Sequence, residues 1–294
     1  MSEHLTDNTT LSTVDDVAAI DRKQRVFIEF SYNGTNYHGW QYQKNAHSVQ
    51  AELERVLSIV FRQPIHSTGA GRTDTGVHAR QMYAHFDFIL PEKGFRFVVK
   101  KGEKAKDEVM DEEWQLDTDH LLYSINMMLP YDIAVKNILL VDRKAHTRFD
   151  ATQRSYEYHI HFKKDPFLKD LSFHVHPRTP DMEVMNEAAK LLFEYIDFSC
   201  FSRSKTQTFT NNCTITRAEW IKAEEGMVFH ISANRFLRNM VRAIVGTLLD
   251  VGLGKITKED MRKIIEGKNR SDAGQSVPAG GLYLTRVVYP YINY

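Results

Sequence analysis

Apolar residues recur along this chain with two periods, two residues and about 3.6 residues, and the switches between them mark out strands and helices. From Arg25 onward Val26, Ile28 and Phe30 alternate with polar neighbours, the pattern of a half-buried strand, and Asn33-Gly34 then marks a turn. Ser48 is placed as the N-cap of a helix running to about Phe61, with Val49, Leu53, Val56, Leu57 and Val60 on one face. A glycine-rich, irregular stretch from Gly69 to Gly76 precedes a long strand, His78 to about Leu90. Asp119 is positioned to cap a helix through Met128, which Leu129-Pro130 stops, and Ile133 to Val141 reads as a strand. In the second half Arg154 to Phe162 alternates, with Tyr156, Tyr158, Ile160 and Phe162 facing one way and Ser155, Glu157, His159 and His161 the other. A helix from about Asp181 to Tyr195, strands near 215–223 and 227–234, and a helix from about Arg235 to Val251 follow. Thr257 caps a last helix ending at Gly267, and Leu282 to Val288 closes the series as a strand. Strands and helices mix in both halves with hairpin-like pairs, which favours an α+β fold with mostly antiparallel sheet over a doubly wound one.

Two stretches stand outside this pattern. Residues 1–22 are polar, rich in Thr and Asp and without a sustained period, as in a disordered tail. Residues 91–118 start with an apolar patch (Phe95, Phe97, Val98, Val99), pass into mixed charge and read as an insertion. The expected organisation is therefore a tail, 1–22, an N-terminal α+β half, 23–148, interrupted at 91–118, and a C-terminal α+β half, 149–294. A chain of 294 residues is long enough for either one large core or two ordinary ones.

Composition narrows the function classes. With 42% hydrophobic and 26% charged residues the chain resembles a soluble globular protein. It has no run of 18 apolar residues, which argues against a membrane-spanning helix, and no basic-then-apolar leader, so a cytoplasmic location is expected. Cys200 and Cys213 form no CxxC and join no His/Cys cluster, so they are expected as reduced thiols with no metal site. The formal net charge of zero speaks against a nucleic-acid partner until its distribution is considered. Residues 1–22 carry five acids and one Arg, net −4, and residues 91–120 nine acids and six bases, net −3, which leaves +7 on the rest. A basic working surface with acidic appendages is compatible with RNA binding.

Three constellations carry candidate chemistry. In Gly69-Ala70-Gly71-Arg72-Thr73-Asp74-Thr75-Gly76-Val77-His78-Ala79 a guanidinium precedes a carboxylate by two residues, among glycines that allow tight turns and close approach of a ligand. A carboxylate beside a guanidinium in a water-poor pocket can serve as nucleophile or base, although a tight Asp-Thr-Gly turn with an exposed Arg has the same sequence. Tyr32-Asn33-Gly34-Thr35-Asn36-Tyr37-His38-Gly39-Trp40-Gln41 sets aromatics among amides, suited either to stacking on unpaired bases or to covering the edge of a core. Arg235, Arg238 and Arg242, at i, i+3 and i+7 of the expected helix, would share one stripe above an apolar face. No acid stands at i±4 to relieve them, which favours a phosphate or carboxylate partner over a merely solvated face.

Together these stretches resemble the TruA family of tRNA pseudouridine synthases. The resemblance runs in order through YNGTNYHGWQ (32–41), SVQAELERVL (48–57), GAGRTDTGVHA (69–79), INMMLPYDIAV (125–135), HTRFDATQRSYEY (146–158), FLRNMVRAIVGTLLDVG (236–252) and PAGGLYL (278–284). It implies the pseudouridine synthase core, two related, mostly antiparallel sheet-and-helix halves with the active cleft between them. It further implies that Asp74 is the catalytic carboxylate, that Tyr156 stacks on the target uracil and assists proton transfer, and that Arg242 pairs with Asp74. Arg72 would help turn the target nucleotide out of its stem, and Tyr37, Arg235 and Arg238 are expected to contact substrate. The implied substrate is tRNA, modified at uridines 38–40 of the anticodon stem-loop and bound across both subunits of a homodimer. Three departures stand out: Ile196 where the family often has His, the length of the 91–118 insertion, and Ser276-Val277 before Pro278 where Thr-Ala is usual. None touches the expected catalytic set.

Uridine and pseudouridine are isomers, so the implied reaction needs no cofactor, and the chain carries neither GxGxxG nor a P-loop. Two rival readings remain. Asp74-Thr75-Gly76 matches the aspartic-protease signature, but that chemistry needs two carboxylates sharing a proton and the triplet occurs once. A non-catalytic RNA-binding protein would use the same basic surface but gain nothing from an anionic Asp beside phosphates.

Overall fold

The computed structural model describes residues 22–90, 98–100, 114–203 and 210–293. The expected disordered tail lies outside the described residues apart from Arg22, and so does most of the 91–118 segment. Of that segment the ends form a short antiparallel pair, β4 (Val98–Lys100) with β5 (Trp114–Leu116).

Most elements form where the periodicity places them. β1 (Lys23–Tyr32) leads to α1 (Val49–Phe61), whose N-cap Ser48 accepts from the Ala51 N–H and satisfies one of the free first-turn donors. β2 (Ser67–Gly69), β3 (His78–Ile89), α2 (Thr118–Met128) and β6 (Ile133–Val141) complete the first half. The second half runs through β7 (Gln153–His161), β8 (Phe173–His174), α3 (Met182–Ala189), β9 (Ile215–Lys222) and β10 (Gly226–Ala233). It ends with α4 (Met240–Gly252), α5 (Lys258–Gly267) and β11 (Leu282–Val288). At α5 Thr257 and Asp260 form a reciprocal capping box. Among the described residues no helix is long and apolar enough to cross a membrane.

Besides the β4–β5 pair, the other nine strands form one sheet in the order β6-β1-β3-β11-β7-β10-β9, with β2 added to β3 and β8 to β7. Pairing is antiparallel except at β7–β8 and at β3–β11, where Tyr283 and Leu284 lie parallel to His78 and Ala79. That short parallel contact makes the strands of the two halves one continuous surface. Two apolar clusters sit along it, one built around β1, β3 and α1, the other around β7, β10, α3 and α4. The first also draws in Leu284, Val287 and Tyr289 from the end of the chain. Tyr156 packs against both clusters, which sets it at their seam.

Four local departures from the expected pattern have physical causes. The second face of β1 is covered as well, by His85, Tyr289 and Tyr291, so Phe27 is buried as fully as its neighbours Val26 and Ile28. The cap of α2 is Asp117, whose carboxylate accepts from the His120 N–H, and not Asp119. The expected helix to Tyr195 tightens into a 3₁₀ turn, Lys190–Phe193, after Ala189. The helix expected from Arg235 starts at Met240, because Asn239 is left-handed at φ 65° and a right-handed helix does not continue through that conformation. Arg235 and Arg238 therefore precede α4 and do not share a helical stripe with Arg242.

Candidate active site

The loop between β2 and β3 carries Asp74 and is fixed from three sides. At its start the Ala70 N–H donates to the Tyr83 carbonyl on β3, 2.8 Å. In its middle the Thr73 hydroxyl accepts from the Trp40 N–H at 3.1 Å and lies 2.9 Å from the Tyr32 hydroxyl. At its end Gly76, left-handed at φ 77°, donates its N–H to the Tyr37 carbonyl, 3.3 Å. The aromatic loop 32–41 is thus the seat of the Asp74 loop. Its Gly39 has φ 82°, and a Cβ there would fall 2.3 Å from the Thr73 carbonyl oxygen, so only glycine permits this approach.

This seating decides between the two readings of the aromatic loop. Tyr37 and Trp40 are each 2% exposed and belong to the first apolar cluster. Tyr37 sets its ring 4.9 Å from that of His47 and donates its hydroxyl to the Asp132 carboxylate, while Trp40 lies against Phe30. A ring enclosed in this way offers no face to a base. The expectation of Tyr37 as a substrate contact does not fit its position; it braces the loop from beneath.

The Asp74 side chain, 27% exposed, faces two guanidiniums: Arg242 Nη1 lies 3.6 Å from one carboxylate oxygen and Arg238 Nε 3.6 Å from the other. Both are too long for hydrogen bonds. The carboxylate is flanked by positive charge, yet its oxygens are left open to a reacting group. Arg242 stands in the first turn of α4 and is aimed by a 2.7 Å bond from its Nε to the Val277 carbonyl. Arg238 reaches the same carboxylate from the loop before the helix, a partner that the expected stripe geometry did not provide. Arg72 is exposed, with no side-chain partner among the described residues, and Arg235 is half-buried.

Tyr156 lies on β7, half-buried, with its ring edge-on to Phe236 at 5.1 Å. Enclosure pushes its phenol up to about 12; the Arg154 charge pulls the other way, and the Asp74 charge adds a smaller push upward. Among the described residues its hydroxyl has no hydrogen-bond partner. The structure therefore brings Asp74, Tyr156, Arg238 and Arg242 together around the seam between the clusters. The neighbours of Asp74 are two cations and not the second carboxylate that acid-protease chemistry requires.

Arg154 is the site residue that sequence reasoning missed. Its guanidinium donates to four carbonyls, those of Ala70 (3.1 Å), Arg148 (2.6 Å), Ala151 (2.8 Å) and Asn234 (2.9 Å). It thereby ties the loop before Asp74 to the segment before β7 and to the end of β10. It does so without a carboxylate, so its charge persists in the floor of the site although burial works against it. Its signal was its place in the Arg154-Ser155-Tyr156 run at the head of an alternating strand. His78 is likewise structural: its Nδ1 accepts from the Gly34 N–H at 3.0 Å, and its Nε2 lies 2.9 Å from the Asp170 carbonyl. Among the described residues no group of three or more His, Cys, Asp or Glu converges as metal ligands.

Comparison with known proteins gives concordant matches. A family model described as tRNA pseudouridine synthase matches residues 188–290, a stretch that includes Arg238 and Arg242 and lies beyond Asp74 and Tyr156. The tRNA pseudouridine synthase A of Parabacteroides distasonis is 46% identical over 267 residues, covering 91% of this chain and 96% of its own. That of Porphyromonas gingivalis is 48% identical over 268 residues, 90% of this chain and 97% of its own. The more distant enzyme of the same name from Bacillus subtilis is 35% identical over 269 residues, 90% of this chain and 99% of its own.

Proposed function

Because the chain belongs to the tRNA pseudouridine synthase A family, we propose that it isomerises uridine to pseudouridine in tRNA, at positions 38–40 of the anticodon stem-loop, with Asp74 as the catalytic carboxylate. The observation that carries this reading is the open carboxylate of Asp74, set between Arg238 and Arg242 with both ion pairs at 3.6 Å.

The reaction breaks the C1′–N1 bond, turns the uracil, joins C5 to C1′, and moves a proton from C5 while N1 gains one. No atom or electron is supplied from outside. Asp74 can add to the uracil at C6, attack C1′, or take a proton from the sugar, and each route needs the carboxylate against a nucleotide withdrawn from its stack. The two guanidiniums offset the carboxylate's charge when water is excluded, and neither consumes its lone pairs in a hydrogen bond. Tyr156 supplies a ring edge and a free hydroxyl. With its phenol pushed up to about 12 it stays protonated at neutral pH. It acts as a relay, accepting the C5 proton only as it passes its own to water, and not as a standing base. Arg72, exposed two residues before Asp74, is suited to the stem from which the nucleotide is drawn, at a flipping cost of a few kcal/mol. The same reading has the protein act in the cytoplasm as a homodimer, with tRNA lying across both subunits.

Incubation with an unmodified tRNA transcript, followed by mapping of pseudouridine, tests the proposal. Product confined to positions 38–40 is expected. Product at other positions contradicts the site preference, and its complete absence contradicts the activity.

A further inference from the structure

Phe149 is 76% exposed, yet it does not sit on a loose loop. The N–H groups of Arg148 and Phe149 both donate to His146 Nδ1, at 3.1 and 3.3 Å, and the His146 ring covers the Phe149 ring with centroids 4.2 Å apart. His146 is itself held, by its N–H to the Asp150 carboxylate at 2.7 Å and by its ring against His85 at 4.6 Å. The imidazole thus lies against one side of the Phe149 ring, tilted by 31°, and the Arg148 guanidinium lies over the ring at 6.0 Å from its centroid, while the ring as a whole stays largely open to solvent. Tyr131 and Phe167 are exposed further still, so exposure alone is ordinary here; what sets Phe149 apart is that its ring is held in place by the His146 contacts, as a preformed platform for a flat group.

Its position gives the occupant. The Arg148 carbonyl and the Ala70 carbonyl accept from the same nitrogen of Arg154, at 2.6 and 3.1 Å, so the ring is tethered to the loop that carries Asp74. Past Ala70 the backbone is bare: a Cβ on Gly71 would meet nothing within 4 Å. The local charge is positive, from exposed Arg72 and Arg148 together with Arg154 and Arg235. Asp150, next in the chain to Phe149, is engaged by the His146 N–H and the Tyr291 hydroxyl. A flat apolar face with guanidiniums at its border and an unobstructed backbone beyond is the chemistry that takes an unpaired base and its phosphate.

We infer that Phe149 is a stacking subsite for an unpaired base of the RNA substrate, flanking the nucleotide that enters at Asp74, with Arg148 taking an adjoining phosphate. The subsite rests on the RNA-modifying function proposed above and extends it to a second nucleotide. Arg154 acts as a positioning residue, holding this subsite and the Asp74 loop in fixed relation.

The test uses the full chain and an unmodified tRNA transcript, with affinity, single-turnover rate, salt dependence and sedimentation read in parallel. Phe149→Ala is expected to weaken binding about tenfold, while the rate at saturating enzyme stays within about twofold and the melting temperature is unchanged. Phe149→Trp restores the affinity and Phe149→Leu does not, because stacking needs a ring. Arg148→Ala lowers the slope of log K against log salt by about one. Unchanged affinity in Phe149→Ala, or full rescue by Leu, overturns the inference. So does a change of oligomeric state in Phe149→Ala, which would make the ring an interface between copies of the chain. A wild-type protein that binds the transcript through Phe149 but forms no pseudouridine would support the subsite and contradict the activity.

Discussion

Asp74 owes its place to neighbours that are far apart in sequence. Its own loop supplies the turn, loop 32–41 the seat, and the approach to α4 the two cations. Asp74 and Arg72 stand out because they share one contiguous motif, whereas Tyr156 was marked only by the family resemblance, since the alternation of β7 gives no more than the face on which it lies. Arg238 as a second partner of Asp74 was not legible, because that contact depends on the left-handed turn at Asn239, which a helical period through Arg235 conceals. Nor was the role of Arg154, whose four acceptors are main-chain carbonyls that no side-chain pattern announces. Tyr37 is the opposite case: an aromatic in a polar loop suits a stacking platform and a core edge alike, and the fold turns this one inward. The unpartnered hydroxyl of Tyr156 gives a prediction at this scale. Tyr156→Phe removes no hydrogen bond of the folded protein, so the melting temperature should hold and tRNA affinity should change little. The single-turnover rate should fall about a hundredfold or more. A rate equal to wild type would leave Tyr156 with stacking alone.

At the scale of elements, helices bounded by strong caps were well placed from sequence. Ser48 and Thr257 set the starts of α1 and α5, and left-handed Arg62 and Lys268 follow their ends. The long strands lie where alternation placed them, but the short β2, β4, β5 and β8 were not legible, nor was the joining of both halves into one sheet. It rests on two residue pairs between β3 and β11, strands separated by most of the chain. The docking of loop 32–41 on the Asp74 loop is the element contact with most influence on the site. Gly39→Ala would force a Cβ to 2.3 Å from the Thr73 carbonyl and hold a non-glycine residue at φ 82°. It should cost about 1–3 kcal/mol of stability and also lower activity, since Thr73 must shift and carries Asp74 with it. Urea unfolding and single-turnover assays read the two effects. A fully active, fully stable variant would show that the seat is dispensable.

Over the whole molecule the two apolar clusters share one sheet, and polar groups buried within it make stability depend on pH. His85, 6% exposed on β3 with Nδ1 2.8 Å from the Thr147 hydroxyl, is pushed down to about 4, by burial first and then by the Arg25 and His146 charges. His78 and His146 are lowered as well, mainly by burial. For a histidine with a depressed folded-state value, the unfolded chain takes up a proton near 6.5 that the folded chain refuses until about pH 4. The stability contribution is therefore complete above about 6.5 and lost as pH falls, by up to about 3 kcal/mol for His85 alone. Asp87, held below its usual range against burial by the Arg25 and Lys23 hydrogen bonds, adds its loss only below 3.8. The urea midpoint should decline steadily from pH 6.5 to 4, and a flat profile over that interval would contradict the buried, neutral state of His85.

The most direct test of the central claim compares Asp74→Asn with wild type on one unmodified tRNA transcript, at saturating enzyme and with tRNA affinity measured alongside. The side chain keeps its shape and loses its charge, so binding should remain close to wild type while pseudouridine formation disappears. Pseudouridine appearing at a near-normal rate in Asp74→Asn would show that the carboxylate between Arg238 and Arg242 does not perform the chemistry.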